Sequence, residues 1–302
     1  MGDDGTREDD GTREPDGNGL TEARGPVVWL DGRTDRDGRS RVQALDHGMT
    51  VGDGAFESLK VVQGRPFALT RHLRRLGHSL NALGLEVPSD GALRSAVAQT
   101  LEELGQVPLA RLRITVTGGA GPLGSNRGKS DPTLIVAAEA TSPWPERINV
   151  ITVPWVRNER SALVGVKSTS YAENVVALKA AHDRGAHEAL LANTRGELCE
   201  GTGSNVFVAV DGELLTPPLS SGCLGGITRE LLLEWAARRG LPIRERTLPM
   251  SVLDTAPEVV LTSSTRDVQA AAEIDGRLLP PGPLGRVAAD LFADCLPEDL
   301  DP

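Results

Sequence analysis

Residues 163–171 read LVGVKSTSY, and within them Lys167 ends an apolar run just before a helical pattern begins. A lysine in such a place is partly removed from water, which lowers its pKa and makes the neutral amine available to react with a carbonyl. The chain has few alternatives, because only Lys60, Lys129, Lys167 and Lys179 carry a primary amine on a side chain. Alone, the position is more typical of a lysine that extends to solvent, so the surrounding sequence must decide.

Three further clusters follow Lys167 in a particular order. Glu200 opens EGTGSNVF (200–207), where an acid at a strand end is followed by small residues that let a flat ring approach. A carboxylate facing a pyridine nitrogen keeps that nitrogen protonated, so the ring can accept electrons. The turn 225–230, GGITRE, begins a helix whose free N–H groups and Thr228 hydroxyl favour an anion. The residues 262–265, TSST, offer a second set of hydroxyls and N–H groups for a phosphate.

With this order of amine, acid and two phosphate turns, the chain resembles the class IV (fold type IV) pyridoxal-phosphate enzymes. That family includes branched-chain and D-amino-acid aminotransferases and 4-amino-4-deoxychorismate lyase. The resemblance extends over about residues 26–295, nearly everything outside an acidic N-terminal tail. Its matching stretches are DHGMTVGDGAFESL (46–59), FALTRHLRRLGHSL (67–80), VKSTSYAENVVAL (166–178), GAHEALLANTRGELCEGTGSNVFV (185–208), LTPPLSSGCLGGITRELL (215–232) and VVLTSSTRDV (259–268).

The resemblance implies an α+β fold of two domains, with a small N-terminal α+β lobe and a larger C-terminal lobe that has a barrel-like sheet. It implies pyridoxal 5′-phosphate (PLP) as cofactor, bound by Lys167 as a Schiff base, with Glu200 at the pyridine nitrogen and Tyr171 near the phenolic oxygen. The Lys167–Tyr171 spacing is one residue shorter than in branched-chain enzymes. Without the resemblance, Arg75 reads as a solvated arginine on an amphipathic helix. The implied cofactor-binding residues are Arg75, Lys167, Tyr171, Glu200, Ile227, Thr228, Ser263 and Ser264.

Two reactions use these groups, so the motifs alone leave both open. One is transfer of an amino group between an amino acid, D-amino acids included, or an amine and a 2-oxo acid. The other is the lyase reaction that releases pyruvate and 4-aminobenzoate. A non-catalytic PLP carrier is a third interpretation, which the intact lysine, glutamate and phosphate turns disfavour.

D-amino-acid transaminases hold the substrate carboxylate with a tyrosine, an arginine and a histidine, whereas here Met49 replaces the tyrosine and the loop 117–127 has no histidine and only Arg127. We favour amino transfer, and the resemblance implies a homodimer.

Composition sets the remaining expectations. Residues 1–20 hold seven acids and two arginines, which predicts a disordered acidic tail over 1–25. The chain lacks an apolar run long enough to span a membrane, and its acidic balance gives no reason to expect nucleic acid as a partner. Histidine and cysteine spacings match no metal site, and three unpaired cysteines fit a cytoplasmic location.

The pattern of apolar residues predicts two lobes and a connection between them. We predict a small domain over 26–141, a proline-rich linker over 142–147, a large domain over 148–296 and a tail over 297–302. Helical spacing predicts helices over 70–83, 89–105, 171–184, 228–239 and 284–295. Short apolar or alternating runs predict strands over 55–62, 112–117, 133–139, 148–153, 188–192, 205–210 and 258–262.

Overall fold

The computed structural model describes residues 25–36, 39–296 and 299–302 of the chain. The predicted acidic tail, 1–25, therefore lies outside the described residues except for Gly25. Within these ranges no helix is both long and apolar enough to cross a membrane.

The first half of the chain forms an antiparallel sheet with two helices packed on it. Its strand order is β2-β1-β6-β5-β3-β4, and β3 and β5 pair over their whole lengths. The strands are β1 (Val27–Leu30), β2 (Arg33–Arg36), β3 (Gly54–Val62), β4 (Arg65–Pro66), β5 (Leu109–Thr117) and β6 (Thr133–Ala140). The helices are α1 (His47–Thr50), α2 (Leu69–Leu83) and α3 (Asp90–Leu104).

The two long helices owe their positions to an apolar face and to capping. Leu73, Leu76 and Leu80 recur on one side of α2 and are buried in the core of this lobe. Ser89 caps α3 as its spacing predicts, because its hydroxyl accepts from Ala92 N. For α2 the capping group comes from far along the chain, since the Asp301 carboxylate accepts from the backbone N–H of its second residue at 2.7 Å.

The second half forms a nine-stranded mixed sheet. The strands are β7 (Arg147–Arg157), β8 (Glu188–Asn193), β9 (Leu198–Gly201), β10 (Asn205–Val210), β11 (Glu213–Thr216), β12 (Ile243–Glu245), β13 (Val259–Ser263), β14 (Asp267–Ile274) and β15 (Arg277–Leu278). Their order is β12-β11-β10-β13-β14-β7-β8-β9, with β15 on β14. Only residues 202–204 join β9 to β10, although four strands lie between them in the sheet. The sheet must therefore curl back on itself, which confirms the expected barrel-like form.

Three helices accompany this sheet: α4 (Ala172–Asp183), α5 (Ile227–Arg238) and α6 (Pro283–Cys295). α5 and α6 pack together over one core, in which Trp235 and Phe292 are in aromatic contact at 5.2 Å between ring centroids. α4 covers β7 and β8 through small residues such as Ala177 and Ala181. Each of the five predicted helices thus exists, with ends within one or two residues of the prediction.

The two halves meet along the start of β3. Phe56 N donates to the carbonyl of Lys167 at 2.9 Å, and Thr169 N donates to that of Gly54 at 2.8 Å. The segment that carries Lys167 is therefore held as an extra, short partner of a small-lobe strand. All strands of the first sheet precede residue 141 and all strands of the second follow residue 146. The division into domains at 142–147 stays a prediction.

Candidate active site

A cavity of about 1130 Å³ lies where the two sheets meet. Its wall includes all eight residues that the sequence assigns to cofactor binding: Arg75, Lys167, Tyr171, Glu200, Ile227, Thr228, Ser263 and Ser264. These residues come from both halves of the chain, and the fold brings them to one place. The role of each one stays a prediction.

Lys167 is held firmly by its backbone while its amine faces the cavity. Its N–H donates to Ser79 Oγ at 3.1 Å, in addition to the Phe56 contact at its carbonyl. Its Nζ lies 4.5 Å from the centroid of the Phe56 ring and 3.5 Å from Tyr171 Oη. Burial, helped by the positive charge of Arg75, lowers the pKa of Lys167 to about 8. A substantial fraction of this amine is therefore neutral and nucleophilic near neutral pH.

Glu200 lies on β9 and is held on both carboxylate oxygens. Oε1 accepts from Arg157 Nε at 3.1 Å, and Oε2 accepts from Leu224 N at 2.9 Å. Burial raises the pKa of Glu200, and the positive charge of Arg157 opposes that shift. Arg157 also donates to Asn174 Oδ1 at 3.0 Å, so the pair is anchored to α4. No motif in the sequence indicated this arginine.

Tyr171, the single tyrosine of the chain, packs edge to face against Phe56 with 5.1 Å between ring centroids. Burial raises the pKa of Tyr171 to about 12, and the negative charge of Glu200 adds to that shift. The phenol thus stays protonated at all ordinary pH values and can donate a hydrogen bond into the cavity.

Arg75 is not the solvated arginine that an amphipathic helix alone would suggest. Only 13% of its side chain is exposed, and its Nε and Nη2 donate to the two carboxylate oxygens of Glu57 at 2.7 and 2.6 Å. Nη1 donates to the carbonyl of Gly225 at 2.7 Å, so the guanidinium lies beside the start of α5. His72 Nδ1 also contacts Glu57, at 2.7 Å, and its Nε2 is 3.3 Å from Ser264 Oγ. Neither Glu57 nor His72 was predicted from the sequence as a site residue.

Burial tends to raise the pKa of Glu57, but Arg75 and His72 outweigh it and lower that pKa to about 2. Glu57 is therefore an anion that orients the arginine from behind. One feature of the sequence could have indicated Glu57: it is an acid among the apolar residues of a predicted strand, where unpaired acids are rare.

The end of the cavity near Arg75 has the groups that a phosphate needs. α5 begins after Gly226 without a side-chain cap, so its first N–H groups are free to bind an anion. Thr262 Oγ1 is buried, lines the cavity and has no hydrogen-bond partner among the described residues. Together with Arg75 these donors suit the phosphate of PLP, while Glu200 and Lys167 suit its ring nitrogen and its aldehyde. The residues present therefore fit PLP.

A second arginine, not foreseen from the sequence, faces the cavity from β5. The guanidinium carbon of Arg113 lies 3.7 Å from the centroid of the Phe56 ring, a stacked arrangement. In the described ranges no carboxylate lies within ion-pair distance of it, and burial lowers its pKa. Arg127, by contrast, is occupied by Asp53, which accepts from its Nε and Nη2 at 2.7 Å each. Met49, 75% exposed, lies at the rim of the cavity.

Comparison with known proteins identifies the class to which this fold and site belong. The family model described as amino-transferase class IV matches residues 54–274. A Methanocaldococcus jannaschii protein named as a branched-chain-amino-acid aminotransferase is 32% identical, over 87% of this chain and 93% of that protein. A D-alanine aminotransferase of Staphylococcus aureus is 28% identical, over 87% of this chain and 94% of that protein. The chain belongs to the class IV aminotransferases.

The solved structures agree with this assignment. The crystal structure of a branched-chain aminotransferase from Thermoproteus uzoniensis with norvaline matches with a TM-score of 0.83 and 29% identity, covering 88% of this chain and 93% of that one. The predicted α+β, fold type IV architecture is confirmed, as is the class of PLP-dependent transaminases. The family and the names of the relatives favour amino transfer over the lyase reaction.

Proposed function

We propose that this aminotransferase binds PLP in the cavity between its two sheets and uses Lys167 as its catalytic residue. The single observation that carries the proposal is the position of Lys167, whose amine lies in one cavity with Glu200 and the free N-terminus of α5. Its substrates are amino acids and 2-oxo acids.

Each end of PLP has a proposed partner. Glu200 pairs with the pyridine nitrogen, and Tyr171 contacts the phenolic oxygen. The phosphate is held by the N–H groups at Ile227 and Thr228 and by Arg75, and the turn that carries Ser263 and Ser264 completes its site. When bound, PLP accepts the electron pair left on the substrate α-carbon after a proton departs.

The protein groups supply proton transfer and charge control around that event. With a pKa of about 8, Lys167 Nζ would take a proton from the substrate α-carbon and deliver it to the former aldehyde carbon of PLP without a large energetic penalty in either direction. Glu200, held in place on both oxygens by Arg157 and Leu224 N, would pair with the ring nitrogen and hold a proton on it. Tyr171 Oη stays a hydrogen-bond donor throughout, because its pKa of about 12 is far above the working pH.

We further propose that Arg113 binds the substrate carboxylate. Its guanidinium is held flat on Phe56, faces the cavity and has no carboxylate partner of its own within the described ranges. Apolar side chains line the mouth of the cavity, among them Val51, Val156 and Leu163, which suits a small or aliphatic amino acid. The names of the relatives, branched-chain and D-alanine aminotransferase, agree with such a substrate.

A homodimer also belongs to the proposal. Large apolar side chains are exposed at the cavity rim, as Met49 is, or adjacent in sequence to residues that line it, as Trp155 and Val175 are. Such side chains are more typical of a subunit interface than of a free surface. The buried, free thiol of Cys199 and the two other free cysteines suit the cytoplasm, which we propose as the location.

The proposal is tested with purified protein supplied with PLP. Borohydride treatment should fix a pyridoxyl group on Lys167, identified by mass spectrometry of the peptide, and a Lys167→Ala variant should show none. L-leucine and D-alanine, each with 2-oxoglutarate, should then yield glutamate in at least one case, which also reveals the preferred enantiomer. An absence of any adduct at Lys167, or release of 4-aminobenzoate from 4-amino-4-deoxychorismate without any amino transfer, would contradict the proposal.

A further inference from the structure

Behind the cavity wall lies a glutamate that the proposed chemistry does not use. Glu188, at the start of β8, is 1% exposed and accepts four hydrogen bonds. Two come from Thr202, its N–H at 2.9 Å and its hydroxyl, and one from Ser204 Oγ at 3.1 Å. The fourth comes from Arg266 Nη2 at 2.9 Å. The geometry of a buried carboxyl group with four donors is strongly fixed.

The partners of Glu188 belong to two different turns of the proposed PLP site. Thr202 and Ser204 form the turn that directly follows Glu200 on β9. Arg266 belongs to the turn that carries Ser263 and Ser264, and its N–H donates to the carbonyl of Ser263 at 3.2 Å. Glu188 therefore connects the turn at the ring-nitrogen end to the turn at the phosphate end.

Each side of this connection is anchored in turn. On one side, Asn174 Nδ2 donates to the carbonyl of Thr202, and Asn174 Oδ1 accepts from Arg157, the partner of Glu200. On the other side, the Arg266 guanidinium lies 4.4 Å from the ring centroid of Trp144, in the segment between the two sheets. A continuous series of polar contacts thus runs from Glu200 through Glu188 to the turn that carries Ser263 and Ser264.

We propose that Glu188 is a positioning residue that fixes the separation of the two turns to the length of PLP. The inference rests on the proposed function, because it assumes that one molecule contacts both turns. Glu188 touches neither the cavity nor the reacting atoms; it acts through Thr202 and Arg266. Its loss should therefore weaken a ligand that spans both turns more than a ligand that contacts only one.

Pyridoxal, which lacks the phosphate, is the ligand that separates these cases. In cofactor-free protein we expect Glu188→Gln to raise the Kd for PLP about tenfold, a loss typical of outer partners of a binding site. The Kd for pyridoxal should change less than about threefold, since pyridoxal leaves the phosphate turn unused. Both constants follow from the absorbance change on binding. A general loss of stability would weaken both ligands alike.

Two further variants keep the test decisive. The double variant Glu188→Gln, Arg266→Met keeps an acceptor for Thr202 N and leaves no unpaired buried charge, so it should fold and still lose affinity for PLP selectively. Glu258→Gln is the matched control. Glu258 is also buried, but its carboxylate accepts from Gly285 N of α6 at 2.7 Å and contacts neither of the two turns. It should lower the thermal stability and leave both Kd values unchanged.

The outcomes are distinguishable. Equal losses for PLP and pyridoxal, or no loss in a folded variant, would overturn the positioning role of Glu188. If the wild-type protein binds no PLP at all, the proposed function fails instead.

Discussion

Glu57 and Arg75 form a bidentate ion pair between β3 and α2, with N···O distances of 2.7 and 2.6 Å. Glu57 is fully buried, and His72 shares its carboxylate. The pair lies wholly within the small-lobe elements, yet it directs the remaining N–H groups of Arg75 toward the start of α5 in the other half. The position of the Arg75 guanidinium is therefore decided by an acid outside the cavity.

Replacing Glu57 by glutamine should cost stability and remove a pH dependence. The change leaves Arg75 as an uncompensated buried charge, so we expect the free energy of unfolding to fall by about 3–5 kcal/mol. Because the folded-state pKa of Glu57 is lowered from 4.5 to about 2, its contribution is present above pH 4.5 and is lost as the pH falls toward 2. Urea unfolding across this range should show the wild-type protein approaching the variant. If the unfolding free energies of the wild-type protein and the variant instead changed in parallel with pH, the lowered pKa of Glu57 would be refuted.

The amine of Lys167 should react at lower pH than an ordinary lysine. In cofactor-free protein we expect the acylation of Lys167 to rise with a midpoint near pH 8, because the neutral amine predominates above that pKa. Peptide mass spectrometry after brief labelling gives the profile. Since the charge of Arg75 contributes to the shift, Arg75→Met should move the midpoint upward. A midpoint near 10.5 in the wild-type protein would show that the amine is solvated.

Arg113→Leu should affect substrates according to whether they carry a carboxylate. We expect the KM for amino acids to rise about 10- to 100-fold, since a hydrogen bond to a charged group contributes about 1.5–3 kcal/mol. The Kd for PLP should stay unchanged, as should the steady-state constants for amines that lack a carboxylate. Arg111→Leu, on the same strand, is the matched comparison. A larger effect from Arg111→Leu would move the carboxylate site to that residue.

Lys60→Met should weaken the attachment of the turn that carries Ser263 and Ser264 to the small lobe. Lys60 Nζ lies 5.6 and 5.9 Å from the ring centroids of Phe67 and Phe292 and contacts both oxygens of Asp267 at 2.6 and 2.5 Å. Its removal leaves the carboxylate of Asp267, which is 35% exposed, without its partner, so we expect the free energy of unfolding to fall by about 1 kcal/mol.

The double variant Lys60→Met, Asp267→Asn is the control for that change. It removes both charges and should recover more than half of the loss, measured by urea unfolding. Equal stability of the single and double variants would mean that the pair contributes little.

Local pattern was sufficient for much of the fold. β10 has the predicted bounds, and Ser89 caps α3, because apolar periodicity and capping are encoded within a few residues. β14 was missed, since its sequence DVQAAAEI is rich in alanine and its pairing with β7 is parallel and more than a hundred residues distant. Such strands are specified by their neighbours rather than by their own sequence.

The candidate site, like the fold, could be predicted only in part from local sequence. The cavity-facing residues were found because they stand in short motifs of a known family. Their supporting partners were not: Arg157 lies 43 residues from Glu200, and Arg266 lies 78 residues from Glu188. Nothing in a local stretch reveals that two charges will meet once the sheet has curled. For this reason the partners required the fold.

The single tyrosine of the chain has a practical consequence. Tyr171 lies in the cavity, 3.5 Å from the amine of Lys167, so every tyrosine signal of this protein originates within the candidate site. Protein grown with ring-labelled tyrosine should give one set of aromatic resonances, free of background. Those resonances would report cofactor entry, substrate binding and phenol ionisation in real time, without any introduced probe.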